Sequence, residues 1–261
     1  MKKLKILVMG LPGSGKTYFS ERLSKEIDAV WINADKVRKK VNDWDFSLEG
    51  RIRQANRMKK LSEEAINSGK HAIADFICPT EKTRKDFNPD FLIWMNTIKE
   101  GRFKDTNKIF ESPKKHKVNY EIREKNADLI KFLVADKIQK YKWNNKKPTA
   151  QMLGRWQPWH KGHQTLFEEV IKKTGQVNIM VRDVKGVDDN PFDFDTVKKN
   201  IENSLKEYKN RIKISLVPNI TNICYGRGVG YKIEEIVLEE KIQKISATEI
   251  RKKMREEGKL K

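Results

Sequence analysis

Residues 4–17 read Leu-Lys-Ile-Leu-Val-Met-Gly-Leu-Pro-Gly-Ser-Gly-Lys-Thr. The apolar run at residues 4–9 predicts a buried parallel strand, and residues 18–27 predict the helix that follows it. Between them, Gly10, Gly15, Lys16 and Thr17 complete the pattern G-x-x-x-x-G-K-[ST]. A strand, a glycine loop and a helix in this order predict a phosphate-binding loop that opens an α/β domain.

The glycine loop also predicts where ATP and magnesium bind. Backbone N–H groups of such a loop converge on a phosphate, its lysine reaches the β- and γ-phosphates, and the following hydroxyl ligates Mg²⁺. We therefore expect ATP as a substrate, Mg²⁺ as a cofactor and Lys16 as a catalytic residue. The predicted ATP-binding residues are Gly10, Gly13, Ser14, Gly15, Lys16 and Thr17.

Two carboxylates complete the predicted magnesium site. Asp35 follows the predicted strand at residues 30–33, and Asp75 lies near the end of the predicted strand at residues 71–77. A carboxylate in the position of Asp35 can orient or deprotonate an acceptor hydroxyl and help to hold the metal. We predict Thr17, Asp35 and Asp75 around Mg²⁺, with Asp75 behind the ion and Asp35 catalytic.

Most of residues 1–110 resemble the adenylylsulfate (APS) kinases. The resemblance rests on Asn-Ala-Asp-Lys-Val-Arg at residues 33–38, on Phe46-Ser47 with Arg53 and Asn56-Arg57 beyond it, and on Ile77-Cys78-Pro79 followed by Arg84. It implies a kinase whose acceptor is bound by Arg38, Phe46, Arg53, Asn56 and Arg84. Forked guanidinium groups suit an anionic acceptor. Ion-paired surface arginines and a core position for Phe46 are the alternatives.

Three features depart from that family. Asn33 replaces an acidic residue, the spacing from Phe46 to Arg53 is longer, and residues 101–107 replace the expected lid sequence. These residues can still form a lid, because Arg102 and Lys104 can reach a transferring phosphoryl group. We expect these changes to affect which acceptor is bound more than the phosphoryl-transfer chemistry itself.

A second motif, Gly-Arg-Trp-Gln-Pro-Trp-His-Lys-Gly-His, occupies residues 154–163. His160 and His163, three residues apart at the start of a predicted helix, face the same way and can bind phosphate oxygens. Donors placed there stabilise the charge that nucleotidyl transfer builds on the α-phosphate, without a covalent nucleophile. A metal site is the rival interpretation, but H-E-x-x-H is absent, and His71 and His116 lie in the other half of the chain.

This half resembles the nucleotidylyltransferases marked by H-x-G-H and a distal I-S-x-T-x-x-R, which here stands at residues 245–251. Its opening, with Asn190-Pro191-Phe192, resembles the nicotinamide-mononucleotide (NMN) adenylyltransferases. Trp156 and Trp159 either stack on a base or pack in the core, and the glycine-rich residues 225–231 are a candidate acceptor loop. The resemblance implies catalysis by His160, His163 and Arg251, and nucleotide binding by Gly154, Arg155, His160, His163, Ser246, Thr248 and Arg251.

Strand–helix alternation in both halves predicts an α/β protein with two doubly wound parallel-sheet domains. The polar stretch at residues 144–148 separates a P-loop NTPase-type kinase domain at 1–144 from a Rossmann-like H-x-G-H nucleotidylyltransferase domain at 149–261. The predicted strands are residues 4–9, 30–33, 71–77, 91–95, 118–122, 151–154, 177–181, 212–217 and 233–238. The predicted helices are residues 18–27, 48–68, 127–141, 162–173, 194–208 and 247–257.

The predicted function is a two-site enzyme that uses ATP once as phosphoryl donor and once as adenylyl donor, with small nucleotides as partners. The second reaction would convert NMN and ATP to NAD and diphosphate. Three alternatives remain open: sulfate activation by an APS kinase with a sulfurylase-related domain, a nicotinamide riboside kinase with NMN adenylyltransferase, and nucleic-acid end processing. In a fourth, the first half binds nucleotide without catalysis and regulates its neighbour.

Composition limits the class of protein. The 261 residues carry a net charge of +20, which fits either a nucleic-acid partner or a solvated basic surface around sites for anionic nucleotides. We favour the second interpretation, because the lysines are scattered along the chain. No apolar run has the length of a membrane span, and Cys78 and Cys224 predict neither a disulfide framework nor a zinc site. We expect a soluble, cytoplasmic protein without a membrane partner.

Overall fold

The computed structural model describes residues 2–228 and 230–260. The chain divides into two compact units, Met1–Lys140 and Tyr141–Lys261. This division falls just before the polar stretch at residues 144–148. No helix among the described residues combines the length and the apolarity that crossing a lipid bilayer requires. Cys78 is buried, Cys224 is exposed, and both are free thiols.

The first unit is built on a five-stranded parallel sheet. Its strands are β1 (Lys5–Met9), β2 (Ala29–Asn33), β3 (His71–Asp75), β4 (Phe91–Met95) and β5 (Tyr120–Ile122). Their order is β2-β3-β1-β4-β5 and every neighbouring pair is parallel. The chain turns back at β1, which makes the sheet doubly wound and opens a crevice beyond the carboxyl ends of its strands. This part of the fold agrees with the predicted class.

Six helices accompany this sheet: α1 (Lys16–Glu26), α2 (Ala34–Val41), α3 (Leu48–Asn67), α4 (Glu81–Phe87), α5 (Lys104–Ile109) and α6 (Ala127–Ile138). Alternate residues of β1 join different cores: Ile6 packs with Phe19 of α1, and Leu7 packs with Met58 of α3. Both faces of β1 are therefore buried, as its apolar run predicts. The helix predicted to reach residue 141 ends at Ile138, where Gln139 takes an extended conformation.

The second unit has a three-stranded parallel sheet of β6 (Ala150–Gly154), β7 (Val177–Arg182) and β8 (Ile212–Val217), in the order β6-β7-β8. Its helices are α7 (Lys161–Thr174), α8 (Phe194–Ser204), α9 (Glu240–Gln243) and α10 (Ala247–Glu256). Because the strands lie in sequence order, the described sheet has no point of reversal. It therefore differs from the doubly wound sheet that we predicted for this half.

The predicted strand at residues 233–238 is wrong. The described residues between 218 and 239 form neither strand nor helix, and the side chains of Ile233 and Val237 are 62% and 77% exposed. An apolar run becomes a strand only where a neighbouring strand satisfies its backbone groups and a core covers its side chains. In the candidate acceptor loop at 225–231, Val229 lies outside the described residues, and the exposed rings of Tyr225 and Tyr231 meet edge to face.

Candidate active sites

The glycine loop joins β1 to α1 at the carboxyl edge of the first sheet. Gly10 has φ 149°, and a Cβ there would lie 2.6 Å from the backbone oxygen of Met95. Gly15 has φ 91° and is the N-cap of α1. Only glycine combines this backbone conformation with such close packing. The loop therefore turns directly into the helix and presents its amides to a phosphate.

Lys16 lies buried inside this loop. Its Nζ donates a hydrogen bond to the backbone oxygen of Leu11 at 3.0 Å. Burial lowers the pKa of the Lys16 ammonium, while the Asp75 and Asp35 carboxylates act in the opposite direction. Within the described residues, the Ser14 hydroxyl is buried without a partner. A bound phosphate would supply the missing partner of the Ser14 hydroxyl and a further acceptor for Lys16.

A small hydrogen-bond network joins the predicted magnesium residues. Asn33 donates from Nδ2 to Asp75 Oδ2 at 3.0 Å and to Thr17 Oγ1 at 3.3 Å. Trp31 donates from Nε1 to the same Asp75 oxygen at 3.2 Å. Burial raises the pKa of Asp75, and these hydrogen bonds oppose the rise. The structure thus brings Thr17 and Asp75 together, and it assigns Trp31 and Asn33 a holding role that we did not predict.

The residues present fit Mg²⁺ bound to a nucleotide. Asp35 is exposed in the first turn of α2, and hydroxyl and carboxylate oxygens are suitable ligands for this ion. The described residues contain no cluster of three or more His, Cys, Asp or Glu side chains that could hold a metal by themselves. Mg²⁺ commonly binds through one or two protein oxygens together with nucleotide phosphates. The site is therefore suited to a metal that arrives with ATP.

Two of the predicted acceptor-binding arginines are buried and bonded to the backbone. Arg38 donates from Nη1 to the backbone oxygens of Asp43 and Asp45 at 2.9 and 2.8 Å. Arg84 donates from Nη1 to the backbone oxygens of Cys78 and Pro79 at 3.1 and 3.0 Å. Burial lowers the pKa of both arginines. Their contact with an acceptor stays a prediction.

The other predicted acceptor residues lie nearer the surface. Phe46 is exposed, with the Arg38 guanidinium 4.7 Å from its ring centroid, so it is not a core residue. Arg53 pairs with Asp45 at 2.8 Å, and Asn56 is exposed on α3. Asp43, which we did not predict as a site residue, pairs with Arg57 at 2.7 Å. The hydrogen bond from Arg57 is the main reason why the pKa of Asp43 lies well below its usual range.

Residues 97–107 lie over the glycine loop. Thr97 donates from its hydroxyl to the backbone oxygen of Ser14 at 2.7 Å. The Arg102 Nε is 3.7 Å from the position that a Cβ on Gly13 would take. A Cβ on Gly101 would approach Pro12 Cδ within 2.9 Å. The position of Arg102 beside Gly13 is consistent with the expected lid. Lys104 is an exposed residue at the start of α5.

The two histidines of the second motif stack at the N-terminus of α7. Their ring centroids are 3.7 Å apart. His160 is the N-cap, and its Nδ1 accepts a hydrogen bond from Gly162 N at 3.1 Å. In the neutral ring, the proton therefore lies on Nε2, which can donate to a ligand. A Cβ on Gly162 would lie 2.9 Å from His160 Cε1, so a side chain there would disturb the cap.

His163 lies in an aromatic environment that keeps it uncharged. Its ring meets Trp156 edge-on at 4.9 Å and lies 5.5 Å from Trp159. Burial, followed by the neighbouring His160, lowers the pKa of His163 to about 3. Trp156 packs back onto the sheet, donating from Nε1 to the Met180 oxygen at 3.0 Å. A Cβ on Gly154 would lie 2.6 Å from the Trp156 ring, which supports the packing interpretation of this tryptophan.

A cavity of about 170 Å³ gathers residues of both C-terminal motifs. The N-terminus of α10 borders it, where the Ser246 hydroxyl caps the helix by accepting from Glu249 N. Arg251 donates from Nη2 to Thr248 Oγ1 at 3.2 Å and from Nη1 to the backbone oxygen of Gln157. The lining residues are Leu153, Gly154, Arg155, Trp156, Gln157, His163, Asn190, Ala247 and Arg251. The structure thus brings together the predicted residues Gly154, Arg155, His163 and Arg251.

Gln157 and Asp189 have roles that we did not predict. The Gln157 side-chain amide donates to the Phe192 backbone oxygen at 2.8 Å and accepts from the Phe192 backbone N–H at 3.0 Å. These two bonds join the histidine motif at residues 154–163 to Asn190-Pro191-Phe192. Asp189 accepts from Arg251 Nε at 2.8 Å and from Arg255. A sequence shows neither pairing, since each joins residues far apart along the chain.

Comparison with known proteins gives one family match, in the first unit, and several weak structural similarities. The family model described as "AAA domain" matches residues 6–88. A comparison with curated proteins gave no match. The APS kinase CysC of Mycobacterium tuberculosis, in complex with AMPPNP and APS, is 16% identical, with 53% of this chain and 99% of that chain covered and a TM-score of 0.43.

Two further solved structures show weaker similarity. The shikimate kinase of Acinetobacter baumannii is 17% identical, with 52% of this chain and 93% of that chain covered and a TM-score of 0.38. The Pnkp1/Rnl/Hen1 complex is 13% identical, with 86% of this chain and 82% of that chain covered and a TM-score of 0.32. The glycine loop, the order of the five strands and the family match agree, and the first unit has a P-loop kinase-like α/β fold.

Proposed function

We propose that the first unit is an ATP-dependent phosphotransferase for a small, anionic, nucleotide-like acceptor. One observation carries the proposal: the Asn33 amide joins Thr17 to the buried Asp75 beside the glycine loop. This observation supports a magnesium site beside the position that the phosphates of ATP would take.

Each residue has a role in that reaction. Lys16 would exchange its bond to Leu11 for the β- and γ-phosphates, and Thr17 would ligate Mg²⁺. Asp35 would orient the acceptor hydroxyl or take its proton as the phosphoryl group is transferred. Arg102, beside Gly13, would add positive charge at the transferring group. The APS kinase resemblance supports an adenylylsulfate-like acceptor, and nicotinamide riboside is the alternative.

We propose a second reaction, adenylyl transfer, for the second unit. The observation that favours it is the cavity that His163, Arg155 and Arg251 line together. In this reaction, a phosphate oxygen of NMN forms a bond to the α-phosphorus of ATP, the bond to the β-phosphate oxygen breaks, and NAD and diphosphate are the products. His160 Nε2–H and Arg251 would stabilise the added negative charge.

Product analysis by mass spectrometry tests both reactions. The full chain is incubated with Mg-ATP and, separately, with NMN, nicotinamide riboside and APS. We expect Lys16→Ala to abolish only phosphoryl transfer, and His163→Ala to abolish only formation of NAD. The matched controls, the exposed Lys25→Ala on α1 and the exposed His116→Ala, should keep both activities.

The result also separates the alternatives. Phosphorylated APS would support sulfate activation, and NMN formed from nicotinamide riboside would support a pathway to NAD. No product from any of these acceptors would overturn both small-molecule assignments. The nucleic-acid alternative would then predict phosphorylation of polynucleotide ends and binding that weakens steeply with salt.

A further inference from the structure

The last helix of the second unit is held by a charged residue. Arg251 is the buried residue of α10, and it is 7% exposed. The other residues on this face of α10, Ala247, Ile250 and Met254, are half-buried, and the rest of the helix is exposed. The contacts of the Arg251 guanidinium therefore contribute to the position of the helix N-terminus, which carries Ser246 and Thr248.

Asp189 is the carboxylate that neutralises this arginine. It accepts from Arg251 Nε through Oδ2 at 2.8 Å and from Arg255 through Oδ1. Arg251 and Arg255 lie one turn apart on α10, so one carboxylate fastens two successive turns. A buried guanidinium needs a charge partner, because burying an unpaired charge is unfavourable.

The segment that carries Asp189 is closed by hydrogen bonds within itself. Gly186 N donates to the Asn190 backbone oxygen at 3.0 Å, and Asn190 donates from its amide to the Val187 oxygen at 2.6 Å. Val184 and Asn190 are buried at the two ends of this turn. Asp189 therefore lies in a hydrogen-bonded turn, seven residues beyond the end of β7.

The pairing leaves hydrogen-bond donors for a ligand. Arg251 donates from Nε to Asp189, from Nη1 to the backbone oxygen of Gln157 and from Nη2 to the Thr248 hydroxyl. A guanidinium has a second N–H on Nη1 and on Nη2. The Thr248 hydroxyl accepts from Arg251, so its own proton is available as well. Arg251 itself lines the cavity, together with Ala247 from the first turn of α10, and Thr248 is the next residue of that turn.

We infer that Asp189 is a positioning residue for anion binding in this cavity: it holds Arg251 and Arg255 so that α10 presents Ser246, Thr248 and the outer N–H groups of Arg251 to the phosphates of a nucleotide. The inference rests on the adenylyl transfer proposed above. Asp189 contacts no substrate itself and acts through Arg251.

Calorimetric titration with inorganic diphosphate tests this inference in the full chain, with Lys16→Ala included to remove the first phosphate site. We expect Asp189→Asn, which keeps the shape and loses the charge, to weaken diphosphate binding by at least about tenfold. Asp189→Glu should restore much of the affinity. Asp188→Asn is the matched control, since Asp188 is the exposed neighbour with φ 48°, a conformation that asparagine also tolerates.

Two more measurements separate positioning from general damage. Amide hydrogen exchange in α10 should be faster in Asp189→Asn than in the control, while exchange in α7 stays the same. In turnover, KM for ATP should rise about tenfold and KM for NMN should not change.

The inference fails if Asp189→Asn binds diphosphate as tightly as Asp188→Asn does, or if the Lys16→Ala chain binds no diphosphate. The adenylyl transfer fails separately if that chain binds diphosphate but forms no dinucleotide. In that case, a difference between the two Asp variants would still support the role of Asp189 in anion binding.

Discussion

At the scale of single residues, His163 shows how its surroundings decide protonation. The ring contacts Trp156 and stacks on His160, and burial lowers its pKa to about 3. An ordinary histidine is partly charged near neutral pH. His163 therefore stays neutral across the physiological range, and in the adenylyl transfer that we propose it would act through hydrogen bonds of the neutral ring.

Acid should destabilise the chain through His163. With a folded pKa of about 3 and an ordinary unfolded value of 6.5, the unfolded chain binds more protons between these values. The contribution of neutral His163 to the free energy of unfolding is thus fully present above pH 6.5 and is lost as the pH falls toward 3. Between pH 7.5 and 5, the unmodified chain should lose up to about 2 kcal/mol more than His163→Asn does.

Urea unfolding followed by tryptophan fluorescence measures this difference at the two pH values. His116→Asn is the control, because His116 is exposed, and it should behave as the unmodified chain. Equal losses in His163→Asn and in the unmodified chain would show that His163 does not titrate as its burial requires.

At the scale of secondary-structure elements, an ion pair joins the lid segment to the helix that carries the predicted acceptor residues. Arg51 of α3 donates from Nη2 to Asp105 of α5 at 2.7 Å, and it also reaches Thr106 Oγ1 at 3.3 Å. Arg51 donates from Nε to the Phe46 oxygen at 2.8 Å as well. Arg51 therefore connects α5, which follows Arg102, to the segment that carries Phe46.

Removal of the Asp105 charge should loosen α5 with little effect on global stability. The Asp105 side chain is 68% exposed, and exposed pairs contribute no more than about 1 kcal/mol. In Asp105→Asn, we expect faster amide exchange at residues 101–109 and a higher KM for the kinase acceptor. Asp86→Asn, an exposed carboxylate on α4, is the control. Unchanged exchange in α5 would contradict the tether.

At the scale of the whole molecule, we propose one site for anionic nucleotides in each of the two units. The net charge of +20 favours anionic ligands in general, because it raises their concentration near the surface. The specific donors, however, are local: the glycine loop with Lys16 in one unit, and Arg251 with the histidine pair in the other.

Mg-ATP should therefore bind at two sites per chain. Lys16→Ala and Arg251→Ala should each reduce the stoichiometry in calorimetric titration from two to one, and the double variant should bind none. Lys25→Ala should still bind two. A single site in the unmodified chain, or full binding by the double variant, would contradict independent sites in the two units.

The sequence by itself determined the features that depend on local pattern. The glycine loop followed β1, the apolar runs at β1, β4 and β8 became strands, and a helix began at the histidine motif, because backbone sterics and periodicity act over a few residues. The weaker pattern at residues 233–238 was not sufficient, because a strand also needs a partner.

Only the tertiary structure decided which charges are paired and which are exposed. Arg38 and Arg84 resemble ligands in the sequence, yet both donate to backbone oxygens. Asp189 is inconspicuous in the sequence, yet it holds Arg251 across 62 positions of chain. The physical reason is that pairing and burial depend on which distant segments meet, and that information is not contained in any short stretch of residues.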